Sequence, residues 1–155
     1  MKIEDTFALG SAAALTATIP QMIFDWTSHY FIFKSKYQGY QISSGIYLRP
    51  QLTNDPMGIA LGMTVWVFQA AILGIIITYT LKKTGKDFWW LKGLILSNGF
   101  MYIWVYGYLL TLGAGRVVPF DMRTNWTILI GNMIFGLLTP YLIIRWGKKT
   151  VFPPR

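Results

Sequence analysis

The sequence contains no cysteine, which excludes disulfides, thiolate metal sites and cysteine nucleophiles. A single histidine cannot build the usual multi-histidine metal site. Only one of the six acidic residues, Asp25, lies inside an apolar run, and neither a phosphate-binding glycine loop nor a nucleophile elbow is present. We therefore predict no catalytic residue, no metal and no cofactor, and expect that the chain is not an enzyme.

Charged residues of either sign are scarce. They make up 13% of the 155 residues, whereas 54% are hydrophobic and 17% are aromatic. A soluble domain carries about 25% charged residues. No polar segment is long enough to bury a core of its own. The composition predicts a single membrane-embedded domain over residues 1–155, with the lipid bilayer as its main partner.

Four apolar runs dominate the chain, and we predict that each forms a membrane span: 7–28, 57–81, 88–112 and 125–146. The run 57–81 has no charge, and as a helix it would be roughly 37 Å long, against about 30 Å of bilayer hydrocarbon. Asp55 and Pro56 before it are typical of a helix N-cap and first position. The predicted fold is an all-α integral membrane four-helix bundle.

Two segments leave an alternative open. The small residues 12–17 could form a signal-peptide cleavage region, although Lys2 is opposed by two acids and the apolar run continues well beyond. The aromatic and basic loop 29–55 places Tyr37, Tyr40 and Ser44 on one helical face. That pattern predicts an interfacial helix in the first extracytoplasmic loop, and an irregular aromatic loop is the alternative.

The net charge of +8 raises the question of nucleic acid, but the basic residues lie at the ends of the apolar runs. This placement indicates membrane topology and contact with anionic lipid headgroups, so we expect no nucleic-acid partner. With four spans, nine of the fourteen basic residues lie on the side of the termini. The positive-inside rule then predicts a multi-pass protein of the bacterial cytoplasmic membrane with both termini cytoplasmic.

Three amides, Gln69, Asn98 and Asn132, fall in the middle of the second, third and fourth predicted spans. An unpaired amide in hydrocarbon is costly, so these side chains should face inward. They either bond one another structurally or form a polar midplane site lined by Trp66 and Trp104. Such a site would suit a neutral or cationic small molecule.

Asp25 and His29 lie four residues apart in the first predicted span, on one helical face. A carboxylate one turn away raises the proton affinity of a histidine, which makes this pair the candidate for proton-linked chemistry. The alternative is an interfacial ion pair, with nearby basic side chains, that holds the loop on the bundle.

Gly58 and Gly62 form a GxxxG motif at the start of the second predicted span. Small residues at this spacing let two helix backbones approach closely. The motif predicts helix packing within one chain, and a homo-oligomer formed through the same face is the alternative.

Three motifs carry a resemblance to a known group of proteins: TNDPMGIALG at 53–62, TGKDFWWLKG at 84–93 and NMIFGLLTPYLI at 132–143. In these motifs the chain resembles a loose group of uncharacterised small four-span bacterial inner-membrane proteins of the Gram-positive type. The resemblance implies a fold and a location, and it adds no activity. Members often carry a histidine in the second span, where this chain reads GMTVWVFQ at 62–69, so a proton or metal role of that histidine is not transferred.

The sequence as a whole predicts a non-enzymatic accessory or assembly subunit whose grooves contact a membrane protein partner or a second copy of the chain. The alternative function is a component of a small-solute transporter or channel that uses the polar midplane site.

Overall fold

The computed structural model describes residues 3–148 and residue 151, and at 105–111 and 114 it describes the backbone alone. The described chain is all-helical, without strands, as predicted. The outermost residues of the predicted domain, 1–2, 149–150 and 152–155, lie outside the described part.

Five α-helices follow one another in the described part of the chain: α1 (Thr6–Thr27), α2 (Gly39–Ser44), α3 (Pro56–Thr84), α4 (Trp89–Leu94) and α5 (Met122–Trp146). Two π-helical segments, Ser28–Ile32 and Ile95–Ala114, continue α1 and α4 respectively, and a 3₁₀ turn covers Pro50–Leu52. Three helices are long and apolar enough to cross a membrane: Thr6–Ile32, Pro56–Thr84 and Met122–Trp146. They correspond to the first, second and fourth predicted spans.

The ends of α3 follow from the residues that flank it. Asp55 is the N-cap with an extended backbone, Pro56 is the first helical residue, and Gly85 ends the helix with a φ of 87°. A left-handed φ is readily adopted by glycine alone. The Asp55 side chain, however, makes no capping hydrogen bond, contrary to the expectation that it would accept one.

Two other aspartates do cap their helices. Asp5 accepts a hydrogen bond from the Ala8 N–H at 2.6 Å, and Asp121 accepts one from the Thr124 N–H at 2.8 Å. Because Asp121 provides this cap, α5 begins at Met122, three residues before the predicted boundary.

Glycines set the distance between the long helices. Gly10 of α1 packs so closely on α3 that an added Cβ would lie 2.7 Å from the Gly74 carbonyl oxygen. A Cβ on Gly93 would likewise overlap the Gly136 carbonyl oxygen of α5. The apolar core lies along these contacts; its fully buried side chains include Leu9, Ala13, Ala14, Ile77, Leu81 and Ile143.

The loop between α1 and α3 folds against the long helices. The residues of α2 from Gln41 to Ser44 are all at most 9% exposed. This finding corrects the predicted interfacial helix, which would present one whole face to lipid. The Tyr40 carbonyl packs against Gly62 and the Leu52 carbonyl against Gly58, so the GxxxG motif serves packing within the chain.

The two ends of the described chain are bonded to each other. The Ile3 N–H donates to the Trp146 carbonyl oxygen at 2.8 Å, and the Lys148 N–H donates to the Ile3 carbonyl oxygen at 3.1 Å. The Lys148 ammonium also pairs with the Glu4 carboxylate at 2.6 Å. At the opposite end of the long helices, the Arg116 N–H donates to the Gly45 carbonyl oxygen at 2.9 Å and joins the two loops there.

The glycine contact between α1 and α3 predicts a contrast between two substitutions. We expect Gly74→Ala to lower the free energy of unfolding by about 1–3 kcal/mol, because its Cβ would overlap the Gly10 carbonyl oxygen. Gly99→Ala is the control, since its Cβ would meet nothing closer than Ile95 Cγ2 at 3.9 Å. Reversible unfolding in mixed micelles, followed by circular dichroism, measures both. Equal effects of the two substitutions would contradict the close approach.

Candidate functional site

A hydrogen bond between α1 and the loop forms the base of the site. The Asp25 side chain is 8% exposed, and its Oδ2 accepts a hydrogen bond from the Gly39 N–H at 3.1 Å. Gly39 in turn lies against the Trp66 ring, where an added Cβ would be 2.7 Å from Cη2. Glycine is therefore needed at this position for close packing on the indole.

One turn earlier on α1, the Gln21 Nε2 donates to the Asn132 Oδ1 at 3.1 Å, which links the first and last helices. The Asn132 Nδ2 is buried and has no partner among the described residues. A cavity of about 20 Å³ lies between Gln21, Asp25, Trp66 and Asn132, which we call the polar core. A cavity of this size has room for a single water molecule.

Hydroxyl groups continue the contact between α1, α5 and the loop. The Thr127 hydroxyl donates to the Arg123 carbonyl oxygen at 3.0 Å, so in the 2.6 Å contact of Ser28 with Thr127 the Ser28 hydroxyl is the donor. The Thr124 hydroxyl oxygen accepts hydrogen bonds from the Lys36 and Tyr37 N–H groups at 2.9 and 3.3 Å. Helix α5 thus fixes the loop from the side opposite α3.

A larger cavity of about 540 Å³ opens beside the polar core, between α1, α3 and the loop, and we call it the groove. The groove is lined by Met22, Ile23, Asp25, Trp26, Thr27, Gln38, Tyr40, Ile59, Met63 and Trp66. Asp25 and Trp66 line the polar core as well, so the two cavities share a wall.

Gln38 lines the groove and carries an unsatisfied donor. Its side chain is 6% exposed, and its Nε2 has no hydrogen-bond partner among the described residues. Burial raises the pKa of the Tyr40 phenol above its usual range, and Tyr30 and Asp25 raise it further. The phenol therefore stays protonated near neutral pH, and it donates to the Asn54 Oδ1 at 3.3 Å.

The structure brings together only part of the predicted midplane site. Asn132 and Trp66 line the polar core. Gln69 lines a separate cavity of about 130 Å³ and makes no hydrogen bond to the described residues. The Asn98 Nδ2 donates to the Leu94 carbonyl oxygen of its own helix at 3.3 Å. Trp104 is 60% exposed and faces outward.

The predicted pair of Asp25 and His29 is not in contact. The helix changes from α to π at Ser28, and a wider turn no longer places a residue above the one four positions earlier. The His29 Nδ1 lies 3.4 Å from the Ser35 hydroxyl, and Asp25 binds the Gly39 backbone instead. Within the described ranges, no three His, Asp or Glu side chains lie close enough to hold a metal ion.

Two polar residues of the site, Gln21 and Gln38, were not predicted. Gln21 and Asp25 are four residues apart in an apolar run, and this spacing could have identified a polar face on α1. Gln38 lies in a loop without periodicity, so its position at the groove could not be read from the pattern of the sequence.

Comparison with known proteins gives no relative: no family model, no curated protein and no solved structure matches the chain. The resemblance to small four-span membrane proteins stays a prediction.

The Gln21–Asn132 bond predicts that two amide substitutions change the free energy of unfolding differently. We expect Asn132→Leu to lower the free energy of unfolding by about 1 kcal/mol, because it leaves the buried Gln21 amide unpaired. Gln69→Leu is the control, and it should leave stability unchanged or raise it. The double variant Gln21→Leu/Asn132→Leu should be more stable than the sum of the single effects predicts. Additive effects, measured by unfolding in mixed micelles, would rule out the bond.

Proposed function

We propose that the chain is a multi-pass membrane protein with four spans. Three helices have the required length and apolar character, and their outward side chains are large and apolar, as in Ile19, Phe68 and Ile72, which are 57–66% exposed. Lipid is a suitable surrounding for such a surface. The helical backbone over Trp89–Leu94 and Ile95–Ala114 supplies the fourth segment.

The bonded chain ends support an even number of crossings. Residues joined by hydrogen bonds lie on the same side of a membrane, and Ile3 is bonded to Trp146 and Lys148. Three crossings would separate these residues, whereas four return the chain to the starting side. The fourth segment also runs antiparallel to α5. Gly93, near the start of that segment, contacts Gly136 in the second half of α5. Tyr102, further along the segment, donates its hydroxyl to the Oδ1 of Asn125, near the start of α5, at 3.1 Å.

We propose a bacterial cytoplasmic membrane with both termini in the cytoplasm, from the excess of basic residues on that side. The chain lacks cysteine, so single-cysteine labelling has no background. Cysteine at the exposed position Phe120 should react with a membrane-impermeant maleimide in intact cells, and cysteine at the exposed position Asp87 should react only after permeabilisation. The reverse pattern would invert the topology, and equal labelling of both in intact cells would contradict four spans.

For the activity, we propose non-covalent binding of a small molecule in the groove, as a component of a small-solute transporter or channel. One observation carries this proposal: the buried Gln38 Nε2 lacks a partner beside a groove of about 540 Å³. A buried amide without a hydrogen bond costs about 1–3 kcal/mol, which a ligand with an acceptor would offset. The volume lies in the range of small-molecule sites, about 300–1,000 Å³.

Binding in the groove predicts the effect of filling it. We expect the wild-type protein, extracted from its own membrane into nanodiscs, to carry a discrete small-molecule mass in native mass spectrometry. Met63→Trp narrows the groove and should remove that mass. Phe68→Trp is the control, since Phe68 lies on the same helix, is 66% exposed and does not line the groove.

Two outcomes would contradict binding in the groove. A mass that persists in Met63→Trp would place the ligand elsewhere. A stoichiometric second protein without any small molecule would favour the accessory or assembly subunit instead.

A further inference from the structure

We propose that the ligand of the groove is an amphiphile whose head carries both an ammonium group and a hydrogen-bond acceptor. The inference rests on the proposed binding function and adds the chemical class of the ligand. It follows from the juxtaposition of Asp25, Gln38 and three aromatic rings around one apolar cavity.

The charge of the lining selects a cation. Among the side chains that line the groove, Asp25 is the one acid and no base is present. Its Oδ2 accepts the Gly39 N–H, while its Oδ1 accepts no hydrogen bond from the described residues. An ammonium group that donates to Oδ1 would form a charge-assisted hydrogen bond, whereas an anionic head would face repulsion from the carboxylate.

The aromatic residues of the lining favour the same charge. Trp26, Tyr40 and Trp66 all line the groove next to Asp25. Indole and phenol rings attract a cation placed over their faces, and most strongly where water is excluded. A neutral head of equal size would gain only the apolar contacts.

Gln38 adds the second requirement on the head. Its buried Nε2 is a donor, so a ligand that draws this amide toward the groove must offer an acceptor oxygen, which an ammonium group alone lacks. A head with an ammonium group and a neighbouring oxygen satisfies Asp25 and Gln38 together. A 1,2-amino alcohol and a phosphoethanolamine headgroup share this chemistry.

The flank of the groove accommodates the apolar part of the ligand. Ile23 and Trp26 on α1 are 61% and 56% exposed, and Ile59 on α3 is 36% exposed. With the chain in a bilayer, this flank opens to lipid, so a hydrocarbon tail can pass out between α1 and α3. The head then lies at the inner wall, against Asp25 and Trp66.

A matched series of probes tests the head. We would titrate 1-amino-2-dodecanol, 1,2-dodecanediol and 2-hydroxydodecanoate into the purified full chain in a nonionic detergent and count bound ligands by native mass spectrometry. The amino alcohol should bind about tenfold more tightly than the diol and the hydroxy acid. Equal binding of the amino alcohol and the diol would overturn the proposal.

Two variants and one control test the residues. Asp25→Asn keeps an oxygen acceptor for the Gly39 N–H and should abolish the preference for the ammonium probe. Asp55→Asn makes the same change in charge at an exposed position outside the groove and should keep the preference. Gln38→Leu removes the donor and should weaken binding of the amino alcohol without loss of fold. A preference that survives Asp25→Asn would also overturn the proposal.

A second arm distinguishes the source of the ligand. In nanodiscs that mix phosphatidylethanolamine with phosphatidylglycerol, selective retention of phosphatidylethanolamine by the wild type, lost in Asp25→Asn, assigns the site to a lipid headgroup. Selective binding of the single-chain amino alcohol alone assigns it to a free amphiphile. Suppose that the wild type carries a small-molecule mass that Met63→Trp removes and yet binds the amino alcohol no better than the diol. In that case the proposed ligand class is wrong, and the proposed binding function stands.

Discussion

The hydrogen bond from the Gly39 N–H to the Asp25 carboxylate holds the first loop between α1 and α3. Because Gly39 packs against the Trp66 ring, the bond brings α1, the loop and α3 to one point. The polar core is on one side of this point, and the groove with the Gln38 amide is on the other. Without the bond, a buried carboxylate and a buried N–H would both need other partners, and the loop would be held only by its contacts with α5, Gly58 and Gly62.

The ends of the helices could be predicted well from the sequence, because local residues determine them. Asp55 and Pro56 begin α3 as expected, and the helix ends at Thr84, within three residues of the predicted span. The burial of α2 could not be predicted in the same way, since its partners are carbonyl contacts on Gly58 and Gly62, far along the chain. A pattern of aromatic residues on one face of a short segment does not distinguish lipid from protein as the neighbour.

The candidate site was predicted in part for a related reason. An almost uniformly apolar helix has no polar face to show which side points inward, so the three amides were all expected to meet. Asn132 does meet a partner, but that partner is Gln21, whereas Asn98 bonds its own helix and Gln69 lies apart. The π-helical turn at Ser28–Ile32 also moves His29 away from the position above Asp25 that an α-helix would give it. The four-residue spacing in the sequence assumes an α-helix and could not show this turn.

The Gln21–Asn132 bond has a consequence for biosynthesis, because its two partners are separated by 111 residues. At about 5–20 residues per second, the ribosome makes Asn132 roughly 5–20 s after Gln21. During that time the Gln21 amide lacks its partner on α5, whereas Asp25 can bond the Gly39 N–H as soon as the loop after α1 is made. A buried amide without a hydrogen bond is costly, so α1 reaches its final stability only after α5 has packed against it. The contact between these two helices is therefore a late step in the biosynthesis of the fold.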